Sequence, residues 1–136
     1  MISSFHSKQI LGLDVCIKKE LVATCSSDRT VRLWSYTNAE VPRFQAYMIY
    51  QSEQEAHALA FHPSGLHLVA CFSDSIRLMN ILDTKLVTFK SLPIRECREI
   101  VFSNGGHLFA CANDKEVWVY KFYTAVITQQ FKFVAH

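Results

Sequence analysis

The sequence predicts an all-β chain built from three consecutive four-stranded antiparallel units. Three short apolar segments recur along it and end at Trp34, Met79 and Tyr120, spaced 45 and 41 residues apart. A second set precedes them at a similar spacing, at residues 21–25, 66–71 and 107–111. A third set lies earlier again, at residues 13–15, 59–61 and 100–102. Since three sets agree on one period, and no dozen residues show a helical stripe, an internal repeat of β-strands is predicted.

A period of about 40 to 45 residues is that of a four-stranded blade of a β-propeller. Turn-forming Gly, Pro, Asn and Asp separate the apolar stretches, as tight hairpins require. We therefore predict an incomplete propeller over residues 1–136, with blades at about 6–48, 52–92 and 93–133 and the start of a fourth repeat at 134–136. The predicted strands are 10–16, 21–25, 31–36 and 43–48; then 56–61, 66–71, 76–81 and 85–89; then 98–102, 108–112, 117–122 and 127–133. Residues 1–5 would be an outer strand closing the first blade, and the longest irregular connector is expected around residues 50–55.

Composition limits the classes of function open to the chain. Half of its residues are hydrophobic and 19% are charged, which excludes a disordered chain. The net charge of +2 comes from scattered Lys and Arg, so neither nucleic acid nor an anionic membrane is an expected partner. Its apolar runs fall short of the roughly 20 residues that span a bilayer. The start of the chain lacks the features of a signal peptide, so a soluble intracellular protein is expected.

The five cysteines are predicted to be small buried fillers of strands. Their number is odd and no two are spaced as a CxxC pair, which argues against a disulfide framework and against a zinc site. The alignment of the repeats gives Cys25, Cys71 and Cys111 one equivalent strand position. No cofactor and no metal are expected.

The first unit resembles a repeat of the WD family on four residues: His6, Thr24, Asp28 and Trp34. The resemblance implies a structural tetrad, in which Asp28 accepts from its turn and from His6, and Thr24 links the histidine ring to the Trp34 indole. A buried polar set of this kind is tolerated only when every member is satisfied. The same residue types could suggest a hydrolase triad, but that would require exposure beside an oxyanion site. Proteins of the family act as non-enzymatic scaffolds, so no catalytic residue is assigned.

The second and third units depart from this pattern. Ser52 and Pro93 stand at the histidine position, Ala70 and Ala110 at the threonine position, and Met79 and Tyr120 at the tryptophan position. The turn aspartates Asp74 and Asp114 persist. Since the partners are replaced together by apolar groups, these blades are expected to rely on packing.

Several stretches are similar to a ciliary and flagellar branch of the WD family, at residues 6–10, 12–16, 23–29, 62–65, 72–74, 76–80, 97–99 and 102–110. This resemblance implies a scaffold of the motile axoneme, associated with inner dynein arms and with a microtubule contact as a further partner. A general cytosolic adaptor and a truncated fragment without function are the alternatives. Family propellers close with about seven blades, and three cannot close a ring. Either the chain is a piece of a longer protein, or self-association or another propeller chain covers its open apolar ends.

Two further sets of residues are candidates for a metal site and for a partner-binding site. The histidines at 57, 62 and 67 have neither zincin nor finger spacing, and ordinary turn positions are expected for them. Partner binding is expected at the rim where inner strands begin and where each turn precedes its aspartate, because propellers present exposed loops there on a rigid frame. The candidate residues are Gln9, Ser27, Glu55, Ser73, Glu96 and Asn113.

Overall fold

The computed structural model describes residues 6–36, 48–83 and 85–122 in full, and residues 127–134 by their backbone. In these parts of the chain twelve strands form three four-stranded antiparallel sheets, each with its strands in chain order. The first sheet contains β1 (Ile10–Cys16), β2 (Leu21–Ser26), β3 (Thr30–Ser35) and β4 (Met48–Gln51), and the second contains β5 (Ala56–Phe61), β6 (His67–Phe72), β7 (Ile76–Ile81) and β8 (Leu86–Leu92). The third contains β9 (Glu99–Phe102), β10 (Leu108–Ala112), β11 (Glu116–Phe122) and β12 (Ile127–Val134). The predicted fold class, three antiparallel blades of an incomplete β-propeller, is confirmed.

The inner, second and third strands of every blade lie within one residue of their predicted bounds. The outer strands differ more, since β8 runs on to Leu92 and β4 shares only Met48 with the predicted strand 43–48. The connector predicted to begin at Tyr50 is wrong there, because Tyr50 pairs with Val31 inside the first sheet. Alternation alone could not place this strand, and pairing with β3 decides it. The predicted strand residues 43–47, the lead strand 1–5 and the repeat start at 135–136 lie outside the described residues.

In the third blade, the alignment of β10 with β2 and β6 differs by one residue from the alignment that the sequence suggested. The residue that pairs with the start of the recurring apolar segment is Cys25 in β2 and Cys71 in β6, but Ala112 in β10. The prediction that Cys111 is equivalent to Cys25 and Cys71 is therefore wrong. Because successive side chains of a strand point to opposite faces, the shift of one residue turns Cys111 to the other side of its sheet.

Two apolar layers hold the three sheets face to face. The second sheet contributes to both layers, with Leu68 in the layer shared with the first sheet and Val69 in the layer shared with the third. Both side chains are fully buried, as are Leu33 and Phe109 in the flanking sheets. A sheet covered on both faces reads as a continuous apolar run, which explains the sequence of β6.

The shift in register brings cysteines of two sheets into the second layer. Cys71 from β6 and Cys111 from β10 both lie there with Cys97, and all three thiols are free and buried. The hydrogen bond to Cys97, together with burial, raises the pKa of Cys71 and of Cys111. The hydrogen bonds from Cys111 and Cys71 lower the pKa of Cys97 instead. The thiols of Cys71 and Cys111 therefore stay protonated and act as packing groups, as was predicted for the cysteines.

The inner strands β1, β5 and β9 lie side by side and line an open cavity of about 870 Å³. Leu13 and Val101 project there with more than 60% of their surface exposed. A carboxylate oxygen of Asp14 accepts the backbone N–H of Phe61 over 2.8 Å, which ties β1 to β5. Within the described ranges no helix is long and apolar enough to cross a membrane.

Candidate functional site

A chain of hydrogen bonds links four side chains of the first blade, from the turn after β2 to the end of β3. The Nδ1 atom of His6 lies 3.0 Å from Oδ2 of Asp28, and its Nε2 atom lies 2.6 Å from the Thr24 hydroxyl. The indole N–H of Trp34 donates to the same hydroxyl over 3.0 Å. One proton arrangement satisfies all four groups: the indole donates to Thr24, the Thr24 O–H donates to Nε2, and Nδ1–H donates to the carboxylate. The structure thus brings the four predicted tetrad residues together.

Three residues that the sequence interpretation did not single out complete the shell of donors around Asp28. Thr30 donates to Oδ1 twice, from its hydroxyl over 2.6 Å and from its backbone N–H over 3.0 Å. The backbone N–H of Ser7 donates to Oδ2 over 3.0 Å. The Arg32 guanidinium lies 4.0 Å from Oδ2, and its Nε donates to the Thr30 hydroxyl. The Asp-x-Thr spacing was a readable signal, because an aspartate commonly accepts the N–H two residues further on.

These donors set the charge state of Asp28. Burial alone would raise the pKa of its carboxyl, but the hydrogen bonds from Thr30, His6 and Ser7 outweigh burial and lower that pKa to about 2. The carboxylate is therefore ionised over the whole physiological range of pH. Its charge holds His6 in one orientation and one tautomer, which the Thr24 and Trp34 hydrogen bonds need.

We expect the Asp28 network to contribute a stability that acid removes. Because the folded pKa of about 2 lies below the ordinary 3.8, the contribution is complete above about pH 4 and is lost as the pH falls towards 2. The lost free energy of unfolding is about 2 kcal/mol. Urea unfolding between pH 6 and pH 2.5 measures it in the unaltered chain and in Asp28→Asn, whose curve should be flatter by that amount. Equal pH dependence in the two proteins would contradict the assignment.

In the second blade an arginine-centred cluster occupies the corresponding place. The Arg77 guanidinium donates to the Tyr50 hydroxyl over 3.0 Å and to the Ser52 hydroxyl over 3.1 Å. Its Cζ atom lies 4.3 Å from the centre of the Phe72 ring, and Nη2 lies 3.6 Å from the Asp74 carboxylate. A cation over an aromatic face is attracted by the ring quadrupole. Since Tyr50 belongs to β4 and Arg77 to β7, this cluster joins the first blade to the second.

The turn of the third blade is held by an amide instead of a carboxylate. The side-chain oxygen of Asn113 accepts the backbone N–H groups of Lys115 and Glu116 over 2.9 and 2.8 Å. Asp114, which the alignment gave as the persisting turn aspartate, is exposed. The amide of Asn113 thus takes the acceptor role one residue earlier in the chain.

Neither later blade has a hydroxyl at the position of Thr24. Ala70 occupies it in the second blade, and Cys111 occupies it in the third. The earlier assignment of this position to Ala110 is wrong, because it ignored the shift of one residue in β10. Tyr120 replaces the tryptophan, and its ring stacks on a phenylalanine of β10 with centroids 5.3 Å apart. Packing and not hydrogen bonding therefore fills this region of the third blade.

The predicted rim residues lie at one edge of the sheets, where the inner strands begin. The backbone N–H of Ser27 donates to the carbonyl of Gln9 over 3.0 Å, and that of Ser73 donates to the carbonyl of Glu55 over 2.9 Å. The Ser73 hydroxyl also lies 3.0 Å from Nε2 of His57. These contacts fix the main chain of the rim, so the Gln9 side chain, which is exposed, is presented on a rigid frame.

Glu96 occupies a special place on this rim. Its backbone N–H donates to the carbonyl of Ser73 over 3.2 Å, so it joins the third blade to the second. Its φ of +57° lies in the left-handed region that most residues other than glycine avoid. Its carboxylate lies 3.5 Å from the exposed Arg98 guanidinium. The structure therefore brings Glu55, Ser73 and Glu96 together, whereas the Asn113 side chain caps its own turn.

The side chains that could support chemistry serve structural roles on this rim. The Ser73 hydroxyl beside His57 is also within 3.4 Å of the Glu55 carbonyl, so both side chains hold the rim. Over the residues that the structure describes, no three His, Cys, Asp or Glu side chains are placed to hold a metal ion. Every buried polar side-chain atom of the described residues has a hydrogen-bond partner.

Comparison with known proteins bears on the same regions. The family model "WD domain, G-beta repeat" matches residues 2–35, which contain the whole Asp28 network. Cilia- and flagella-associated protein 57 A of Tetrahymena thermophila is 52% identical over 120 residues, or 88% of this chain. The mouse protein, cilia- and flagella-associated protein 57, is 42% identical over the same share. A third relative, cilia- and flagella-associated protein 57 C of Tetrahymena thermophila, is 34% identical over 96% of the chain.

These relatives are much longer than the chain, which spans 9% of the length of the first two and 10% of the third. Most of each relative therefore lies outside the part that matches this chain. The matching part contains three antiparallel sheets, the tetrad of the first blade and the match to the repeat model. The chain is a WD-repeat protein, a set of three propeller blades that over 88% of its length is similar to cilia- and flagella-associated protein 57.

Proposed function

We propose that the chain is a non-enzymatic protein–protein interaction scaffold of the axoneme of motile cilia and flagella, in the region of the inner dynein arms. The observation that carries this proposal is the identity of 52% over 88% of the chain to a protein named for its association with cilia and flagella. Identity of this extent includes residues outside the tetrad of the first blade. A general cytosolic adaptor, which would share only the repeat architecture, does not account for it.

The geometry supports a binding role without catalysis. The Asp28 carboxylate accepts four hydrogen bonds, from His6, Thr30 and Ser7, and the side chain is only 5% exposed. A catalytic aspartate or histidine must reach a substrate, and this pair is enclosed within its own blade. The tetrad thus acts as a brace for the first blade, in this proposal, while the rim carries the contacts with partners.

The rim between the second and third blades is the proposed contact face. Glu55, Ser73 and Glu96 are held there by main-chain hydrogen bonds, so the backbone of this rim needs little ordering when a partner binds. The ion pair between Glu96 and Arg98 is open to solvent and holds these side chains weakly. A partner protein could exchange it for its own polar groups at small cost.

We expect charge reversal at this rim to weaken partner binding at least tenfold. The variant is the double change Glu55→Lys and Glu96→Lys, because opposite charge at a complementary face repels the partner. The measurement is recovery of axonemal proteins by the tagged chain from ciliary extract, quantified by mass spectrometry. The matched control is Lys18→Glu, a charge reversal at an exposed turn on the opposite edge of the first blade. Loss of no partner in the double variant would exclude this face.

Localisation separates the ciliary scaffold from the cytosolic adaptor. We expect a tagged copy in ciliated cells to lie along the axoneme and to resist extraction of the membrane and matrix by detergent. A signal that remains diffuse in the cytoplasm would favour the adaptor. Activity in a broad esterase and phosphatase screen would contradict the non-enzymatic assignment itself.

A further inference from the structure

The joint between the second and third blades contains a histidine whose two backbone hydrogen bonds are those of a neutral ring. His62 follows β5, and its Nε2 lies 3.0 Å from the carbonyl oxygen of Gly106 in the third blade. A carbonyl only accepts, so Nε2 carries the proton. On the other side of the ring, Nδ1 lies 2.8 Å from the Ser64 hydroxyl and receives the backbone N–H of Ser64 over 3.1 Å. A backbone N–H only donates, so while this bond is formed Nδ1 is the unprotonated acceptor and the hydroxyl donates to it as well.

The titratable groups that act on the ring include no acid that would offset a positive charge. The His62 ring lies between Phe102 and Phe122 of the third blade, with centroids 5.2 and 4.8 Å away. The titratable groups that act on it are His67 from β6 and His107 from the turn after β9, and both oppose a second positive charge. Lys121 precedes Phe122 in β11, and because side chains alternate along a strand, its side chain points to the other face of the sheet.

We propose that His62 is a proton-sensitive clasp between the second and third blades, closed when the ring is neutral and loosened when it is protonated. A proton on Nδ1 would meet the Ser64 N–H head on, and the turn of residues 62–66 would lose that bond. The ring is also part-buried, so its charged form would be partly removed from water. The inference is independent of the proposed function, since it concerns only the joint.

The direction of the pH effect follows from the same contacts. Burial is the main cause that lowers the pKa of His62 below its ordinary 6.5, the Gly106 carbonyl opposes it, and the charges of His67 and His107 add to it. The folded chain therefore binds this proton less readily than the unfolded chain does. The clasp stabilises the fold in full above pH 6.5, and this contribution falls as the pH drops below that value.

The test follows the ring and the turn together by NMR in the unaltered chain between pH 8 and pH 5. We expect the His62 ring to titrate below pH 6.5, and the amide signals of Ser64 and Gly106 to shift with the same midpoint. A His62 midpoint at or above 6.5, or a Ser64 amide that does not follow it, would overturn the proposal.

A matched pair of variants gives the second readout. His62→Gln keeps an N–H donor for the Gly106 carbonyl but cannot take up a proton. Below pH 6.5 the unfolding equilibrium constant of the unaltered chain should rise by up to tenfold per pH unit more than that of His62→Gln. His107→Gln, which removes an exposed histidine beside the joint, should keep most of the unaltered dependence. Identical pH dependence of the unaltered chain and His62→Gln would contradict the clasp.

Discussion

Replacing Asp28 by alanine is expected to lower the free energy of unfolding by about 3 kcal/mol, a large part of the 5 to 15 kcal/mol that stabilises a typical domain. The carboxylate accepts from the His6 ring, from the Ser7 N–H and twice from Thr30. Its removal leaves the part-buried His6 and Thr30 donors without this acceptor, and an unsatisfied buried group costs its full desolvation energy. The His6 ring also loses the partner that fixes its tautomer, so the Thr24 and Trp34 bonds weaken with it.

Urea unfolding at pH 7, followed by the fluorescence of Trp34 and Trp118, measures this change. The control is Asp114→Ala in the third blade, where the aspartate is exposed. A surface substitution of this kind should change stability by no more than about 0.5 kcal/mol. A small effect of Asp28→Ala, comparable to that of the control, would mean that the first blade does not depend on its tetrad.

Replacing Gly106 by alanine is expected to cost about 3 kcal/mol or more and to open the joint between the second and third blades. The glycine has a φ of +76°, a conformation that strains any residue with a Cβ atom. An added Cβ would also lie 2.4 Å from Nε2 of His62. That ring cannot move aside freely, because it is bound to Ser64 and packed against Phe102 and Phe122.

The neighbouring glycine provides the matched control. A Cβ on Gly105 would meet only the exposed His107 side chain, at 3.1 Å, and the φ of this residue is not in the left-handed region. We expect Gly105→Ala to cost less than about 1 kcal/mol, since the histidine side chain can rotate away. Thermal unfolding of both variants compares them, with hydrogen exchange at the β9–β10 turn reporting on the joint. Equal destabilisation by the two changes would show that the approach of His62 to Gly106 does not limit the joint.

The sequence by itself determined the fold class and most of the strands. Strand alternation and turn residues are local signals, and they located nine inner, second and third strands to within one residue. The grouping of His6, Thr24, Asp28 and Trp34 was also readable, since a repeat motif fixes which residues meet across β2 and β3. The register of β10 was not readable in this way, because two alanines flank Cys111 and either alignment keeps the apolar pattern.

The tertiary structure decided what depends on contact between blades. Sequence alternation is nearly the same for residues 43–48 and for β4, and only pairing with β3 and the packing of Tyr50 on Phe72 select the strand. The Tyr50–Arg77 and His62–Gly106 hydrogen bonds join residues that are 27 and 44 positions apart and belong to different blades. A local sequence pattern does not predict these contacts. They form only when two sheets pack face to face and their side chains fill one shared layer.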